Sequence, residues 1–543
     1  MSTATHRRPG HLAGAGQLLR LALRRNRWFY LSWVLAISAL TPLTAAAYET
    51  IVTPANAPLL ITTMENNPSM RALLGPPTDL STPGGFTVWR VGTFVVAMGA
   101  VMAALGVVRS TRAEEEDGRT ELLRSTVVGR HTPLLAGVLA ALVACLALAV
   151  LIAVAMVAVG EPVGGSLALG LGTGLASAVF AGVAAVAAQL TASARGARAV
   201  ALWTLAAAYI VRAVADGASA QDPVHRLGWA SPVQWMALSR PYADERWWVL
   251  LLPAALTLLL VGGALALEAR RDHGAGLWST RAGRSGAAAT LGSPLGLSWR
   301  LLRGSLLGWT IGMVLFALGM GSISTGFGDV VEGTPQLAAI IERLGGGAQQ
   351  LSEAFYVALI SMVAIVMGIF AVQLLQRVQG EEQSGQAELV LSAAVPRTRL
   401  LGSYLLWAVV VPVLLLTLVG VVMTLNQAAT ENDWGWPVRL AAGALALAPG
   451  GLVLLGLAVL LHGWAPRLSW LVWAVVGWSL AVVWVGAALG LPGWVTDLTP
   501  WAALPQLPVE EMAWLPVLLT LALAAALTLA GVAGYRRRDL GPG

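Results

Sequence analysis

Apolar residues in this chain come in long unbroken blocks, with the polar residues gathered into short clusters between them. A helix needs about 20 apolar residues to cross a bilayer. Twelve blocks meet that length. In the first half they are 28–48, 86–108, 133–159, 167–191, 199–217 and 248–268. In the second half they are 299–322, 353–376, 400–425, 438–462, 468–490 and 514–534. The pattern predicts an all-α integral membrane protein. The fourth and tenth blocks are rich in Gly and Ala, which suits close packing of helix backbones.

Composition fixes the solvent. The chain is 57% hydrophobic and 11% charged, with a mean hydropathy of +0.72. A soluble domain carries about 25% charged residues, so lipid has to cover much of the surface. Every basic residue is arginine. Arginines flanking membrane helices account for the pI near 10.1 without a nucleic-acid partner. Cys145, the one cysteine, excludes an intrachain disulfide and a Cys-based metal cluster. Arg24, Arg25 and Arg27 precede an apolar run ending at Ala45, Ala46 and Ala47, which resembles a cleavable signal. The run is long for one, and Arg24, Arg27 and Trp33 recur as Arg300, Arg303 and Trp309, so the segment is expected to be retained.

Arginine placement predicts the orientation. Arg7, Arg8, Arg20, Arg24, Arg25, Arg27, Arg109, Arg112, Arg119, Arg124, Arg130, Arg195, Arg198, Arg270, Arg271, Arg281, Arg284 and Arg536 to Arg538 all fall on the side of the N-terminus. The other side keeps few, among them Arg71, Arg226, Arg240, Arg246, Arg343 and Arg439. The positive-inside rule then puts both termini in the cytosol. The expected organisation is a cytosolic N-terminus with an amphipathic helix (1–27), a six-helix half (28–268), a Gly/Ala/Ser-rich linker (269–298), a second six-helix half (299–534) and a tail (535–543).

Two charged islands interrupt the apolar pattern 267 positions apart. AEEEDGRTELLRSTVVGR starts at Ala113 and GEEQSGQAELVLSAAVPR at Gly380. Glu114, Glu115, Gly118, Glu121, Leu122, Ser125, Val128 and Arg130 align with Glu381, Glu382, Gly385, Glu388, Leu389, Ser392, Val395 and Arg397. At the same offset Glu65 and Pro68 recur as Glu332 and Pro335, and Arg270, Arg271, Asp272 and Gly274 as Arg537, Arg538, Asp539 and Gly541. A repeat near half the chain length points to a duplicated architecture. An even number of helices per copy makes it a parallel repeat, related by an axis along the membrane normal. Positive-inside arginines alone explain neither the acids Glu114, Glu115, Glu116 and Asp117 nor their recurrence. Leu122, Leu123 and Val127 lie on one face of a short helix, with Arg119, Arg124 and Arg130 around it, a composition suited to docking on a cytosolic protein.

No catalytic constellation and no metal-ligand set stands out. The six histidines are scattered, and His462, at a helix end, reads as a satisfied or interfacial residue. A Walker A loop needs a lysine to reach nucleotide phosphates, and this chain has none. Any ATP dependence therefore requires a partner.

The island between the second and third helices, with its E-E-x-x-G-x-x-E-L core, resembles the cytosolic coupling loop of ABC-2-type exporter permeases. The duplicated length resembles the twelve-helix permeases of actinobacteria identified as exporters of polyketide-type antibiotics. The resemblance implies an ABC-2 (type V exporter-like) fold in the plasma membrane and export of hydrophobic drugs or antibiotics. It implies two copies of a separately encoded ABC ATPase that bind ATP and Mg2+, since no cofactor is expected on this chain. The ATPase-coupling residues would be Glu114, Glu115, Glu116, Gly118, Arg119, Glu121 and Leu122, with Glu381, Glu382, Gly385, Glu388 and Leu389. Gln17 to Arg25 would match an elbow helix lying along the inner face, with its second copy at Leu297 to Arg303. The copies are unequal: Glu116, Asp117, Arg119 and Gly129 become Gln383, Ser384, Gln386 and Pro396.

The resemblance also implies a substrate cavity between the halves, lined by the second and fifth helices of each. Arg212 and Asp216, four apart, share a helix face and read either as a pocket pair or as a surface pair. Arg90 is equally open. Trp464 and Trp470 suit an interfacial belt, whereas Trp478 and Trp484 read either as an aromatic wall for a large apolar drug or as lipid-facing. Trp229, Pro232, Trp235 and Trp247, and Trp494, Pro500, Trp501 and Trp514, suit amphipathic caps at the outer leaflet. Three other functions compete. An ion-coupled transporter would need mid-span acids, and Glu268 and Glu353 sit at helix ends. Flipping of a lipid or its precursor is open. A membrane enzyme would need clustered acids, for which only the loop pairs Asp244/Glu245 and Glu510/Glu511 offer themselves.

Overall fold

The computed structural model describes residues 13–48, 52, 68–125, 128–219, 221–272, 274–278, 285–332, 348–383, 385–393, 395–489, 494 and 497–538. Every described regular element is helical, as backbone groups in lipid must pair within their own segment. The chain divides into two compact units, 1–283 and 284–543.

The first unit holds α1 (Ala15–Ala46), α2 (Pro83–Glu116), α3 (Arg119–Arg124), α4 (Thr132–Ala158), α5 (Val163–Leu190), α6 (Ala194–Gly217) and α7 (Leu251–Glu268). The second holds α8 (Pro294–Glu332), α9 (Ala348–Gln383), α10 (Gln386–Leu391), α11 (Arg397–Glu431), α12 (Gly435–Trp464), α13 (Leu471–Leu489) and α14 (Trp514–Arg537). Eleven described helices are long and apolar enough to span a bilayer. The predicted eleventh block falls on α13, 19 residues with no charge.

Helix α5 is the hub of the first unit. It packs on α4, α2 and α7, while α1 packs on α4. In the second unit α12 packs on α11, α9 and α14, and α8 packs on α11. The same pairings thus occur in both units. Glycine lets the hubs approach their neighbours. A Cβ on Gly174 would lie 2.7 Å from the Cys145 carbonyl oxygen of α4, and one on Gly463 would lie 2.1 Å from the Gly531 carbonyl oxygen of α14. Any side chain at either position would force the helices apart.

The stretch 17–25 is part of α1, one continuous helix of 32 residues with Pro42 as its one proline. The stretch 297–303 likewise continues into α8. Leu, Ala and Arg favour helix throughout 17–25, and nothing there breaks it. Helix α2 contains a π-helical turn at Val88–Gly92 and is interrupted at Thr111, after which its last turn runs over Arg112–Glu116.

Candidate functional site

Both islands fold alike. A long helix closes with the aligned pair Glu114/Glu115 or Glu381/Glu382 and one further residue (Glu116 or Gln383), a glycine turns the chain, and a six-residue helix follows. The glycines Gly118 and Gly385 have φ of +71° and +72°, in the left-handed region where L side chains are strained. Gly118 N–H donates to Glu115 C=O at 3.2 Å and Gly385 N–H to Glu382 C=O at 3.1 Å. The hydroxyls of Ser125 and Ser392 donate to the carbonyls of Leu122 and Leu389 at 2.7 and 2.9 Å, closing each short helix.

The second glutamate of each pair turns inward. Glu115 accepts from Arg271 at 2.9 and 2.7 Å, from Arg112 at 3.0 Å and from the Gly274 N–H at 2.7 Å. Arg271 Nε also donates to Gln189 at the end of α5, at 2.7 Å. In the second unit Glu382 accepts from Arg538 and, at 2.7 Å, from the Tyr535 hydroxyl. His462 Nε2, at the end of α12, faces it at 3.4 Å. Both glutamate–arginine pairs span 156 positions. The arginine after each island completes the pattern: Arg130 reaches the Arg271 carbonyl at 3.5 Å and Arg397 the Arg538 carbonyl at 2.8 Å, each across 141 positions. Each island is therefore tied to the ends of the fourth and sixth helices of its own half. Side-chain exposures of 7% for Glu115 and Arg271 place that pair where screening is weak.

The first glutamates differ. Glu114 pairs with Arg25 of α1 and, at 3.4 Å, with Arg119. Glu381 instead takes the Tyr404 hydroxyl of α11 on both oxygens at 2.8 Å, with Arg377 at 3.6 Å. Glu116, though exposed, caps α6 by accepting from the Ala194 N–H at 3.0 Å. What remains facing outward is Asp117, Arg119, Glu121 and Leu122, and in the second island Gln383, Gln386, Glu388 and Leu389. Leu122 is 73% exposed and Leu389 75%. The row of acids is thus divided between inward ties and an outward rim. Leu123's side chain, Val127 and Ser384 lie outside the described residues.

Arg271, Arg538, Gln189, Tyr535 and Arg25 are not among the coupling residues inferred from sequence. The recurrence of Arg271 as Arg538 was the visible signal for two of them; pairing across 156 positions needs the fold. His462, read from sequence as satisfied or interfacial, is buried with its Nε2 3.4 Å from a Glu382 oxygen.

Among the substrate candidates, Arg212 and Asp216 form an ion pair at 2.7 Å with exposures of 0% and 1%, so the surface reading does not hold. Arg212 also donates to the Leu73 carbonyl at 3.0 Å, and Gln234 donates to Asp216 at 2.7 Å. These bonds tie the end of α6 to the segment Pro68–Leu74 and to Gln234, just before the short helix Trp235–Leu238, so the pair is internally satisfied. Arg90 is exposed in the π-helical turn, its guanidinium 5.6 Å from the Phe86 ring centre. Trp478 is 36% exposed; the side chain of Trp484 is outside the described residues. Trp464 and Trp470 are 58% and 60% exposed, in keeping with an interfacial belt. In the loops Trp229 stacks on Trp248 at 5.7 Å, whereas Trp235 is buried. No group of three or more metal-ligating side chains occurs among the described residues.

Residues 291–536 match the family described as the C-terminal domain of the multidrug efflux system permease Rv1217c. Over 540 residues, 99% of this chain and 97% of the relative, the sequence is 38% identical to the multidrug efflux system permease protein Rv1217c of Mycobacterium tuberculosis (strain ATCC 25618 / H37Rv). A likeness of that extent takes in both units and both islands, and the chain belongs to the family of the multidrug efflux permease Rv1217c.

Proposed function

We propose that this chain is the membrane permease of an ATP-driven exporter of hydrophobic drugs, working with two copies of a separately encoded ATPase. The observation that carries this reading is the pair of islands with the same fold. Each shows an exposed leucine on a short helix and is held from behind by a charged tie to its own bundle. A short helix with an exposed apolar ridge and ionic rim fits a groove on a partner, and the ties would carry the partner's movement to the sixth and fourth helices. The relative's name supports multidrug efflux. The chain has no lysine and hence no P-loop of its own, so ATP and Mg2+ would bind the partner.

On this reading both termini and both islands face the cytosol, as the arginine distribution indicates. The chain then supplies two parallel six-helix repeats, twelve spans in all, in the plasma membrane. The recurring helix pairings in the two units support that duplication.

Copurification with the ATPase and drug-stimulated ATP hydrolysis, measured on the reconstituted complex, test this. Leu122→Asp with Leu389→Asp should abolish copurification, and Glu115→Ala with Glu382→Ala should retain it while uncoupling hydrolysis from drug. Wild-type association of the leucine double variant would remove the docking role. Transport that survives ATP depletion and collapses with a protonophore would replace ATP by an ion gradient as the energy source.

A further inference from the structure

The two islands are tied back through different chemistry at one point. In the first half the hub α5 brings Gln189 to the tie, where it is 1% exposed and accepts from Arg271 Nε at 2.7 Å. In the second half the hub α12 brings His462, 4% exposed, to the corresponding place. Its Nε2 lies 3.4 Å from Glu382 Oε1, and its ring stacks on Tyr535 with centroids 5.5 Å apart. Its backbone carbonyl accepts from Arg538 at 2.7 Å. An amide does not titrate, whereas an imidazole ordinarily changes charge between about pH 5 and 8.

The elements around the imidazole carry several charges. From α9 come Glu382 and, one residue earlier, Glu381, which is engaged by Tyr404 of α11 and by Arg377. From α14 comes Tyr535, and just beyond it Arg538. Arg397, at the start of α11, donates to the Arg538 carbonyl at 2.8 Å. Arg467, in the turn after α12, is exposed. Glu382 favours a charged imidazole and Arg538 opposes it, but they meet at different oxygens. Arg538 holds Oε2, while Oε1 receives the uncharged Tyr535 hydroxyl and faces His462 Nε2. Oε1 therefore gains a cation of its own when His462 takes a proton. The second ring nitrogen, Nδ1, is buried without a hydrogen-bond partner. His462 shares a small cavity with Gln376, Gln379 and Ser469, whose side-chain oxygens can accept from a protonated Nδ1.

We propose that His462 is a proton-operated latch on the second island. Protonated, it pairs with Glu382 Oε1 and holds the turn into α10 firmly; neutral, it lets that turn loosen. The ion pair exists only while the imidazole carries its proton, so the hold is greatest on the acid side of the imidazole range and is lost as pH rises through it. The first island, backed by Gln189, lacks this dependence. His131 of that half pairs with Glu268 at 2.7 Å, not with an island glutamate. The latch acts on how the island is held rather than on what docks there, and so needs no partner ATPase to operate.

Amide hydrogen exchange of the full-length chain in phosphatidylcholine nanodiscs, without any ATPase, is followed at about pH 6 and about pH 8. Rates are divided by the intrinsic rate of an unprotected amide at each pH. Protection across Gln386–Leu391 should be about fivefold greater at the lower pH, the gain when one hydrogen bond becomes charge-assisted. Protection across Arg119–Arg124 should not change. His462→Gln, which copies the first half, should give the second island equal protection at both pH values, and His462→Asn serves if that variant does not fold. His131→Gln should leave the second island's pH dependence intact. Equal wild-type protection of Gln386–Leu391 at the two pH values overturns the proposal. So does a pH dependence that persists in the folded His462 variant, or one of the same size in both islands.

Discussion

Glu115 and Arg271 show how a charged residue can be both part of a motif and part of the frame. Two guanidinium contacts, a second arginine and a backbone N–H converge on one carboxylate. Replacing Arg271 by an acid sets a like charge against the buried Glu115 carboxylate, which then keeps only its weaker contacts with Arg112 and the Gly274 N–H. Arg271→Glu should therefore lower the melting temperature of the purified chain by several degrees. Exchanging the two, Glu115→Arg with Arg271→Glu, should recover part of that loss. A double variant no more stable than Arg271→Glu alone would show that the ion pair is not what holds the island. Glu382 is held differently, with a phenol and an imidazole beside its arginine. Neither the acidic run nor its repeat told which glutamates turn inward, because the partners lie up to 159 positions away in sequence.

The short helices α3 and α10 depend on their glycines for direction. A Cβ on Gly118 or Gly385 meets nothing within 4 Å, so a substitution costs backbone conformation alone, about 1–2 kcal/mol for an ordinary residue. Asn tolerates this region better than a β-branched residue. Gly118→Val should raise amide hydrogen exchange across Arg119–Arg124, and Gly118→Asn should raise it much less; equal exchange in the two would contradict the turn. The long helices follow another rule. Gly463→Ala should destabilise by about 1–3 kcal/mol through overpacking, since its methyl would meet the Gly531 carbonyl. Gly262→Ala, with no atom within 4 Å of the added carbon, should leave the melting temperature unchanged or raise it slightly through the higher helix propensity of alanine, and serves as the control. The Gly/Ala richness of the fourth and tenth blocks already signalled close packing. The continuous run of 17–25 into α1 was not so visible, because amphipathic and spanning stretches share helix-favouring residues and only their geometry separates them.

The two halves repeat a frame and differ in how they are wired. The first island is held largely by ion pairs, including Arg25–Glu114 at side-chain exposures of 41% and 16%; the second relies on Tyr404 and Tyr535 as well. Exposed pairs weaken as salt shortens the Debye length from about 10 Å at 0.1 M to about 3 Å at 1 M. Hydrogen exchange at Arg119–Arg124 should thus rise more between low and high salt than exchange at Gln386–Leu391. An equal rise in both would remove the distinction.

Hydropathy was enough to mark out the eleven described helices that are long and apolar enough to span a bilayer, because lipid leaves a chain few ways to satisfy its backbone. The 267-position repeat marked the islands, because a duplicated motif keeps its spacing whatever the fold. Composition excluded a P-loop. The pairing of Glu115 with Arg271 and of Glu382 with Arg538, and the burial of Arg212 with Asp216, came only from the packed helices. Each depends on residues distant in sequence meeting at a bundle end, and hydrophobic period carries no information about which polar groups meet there.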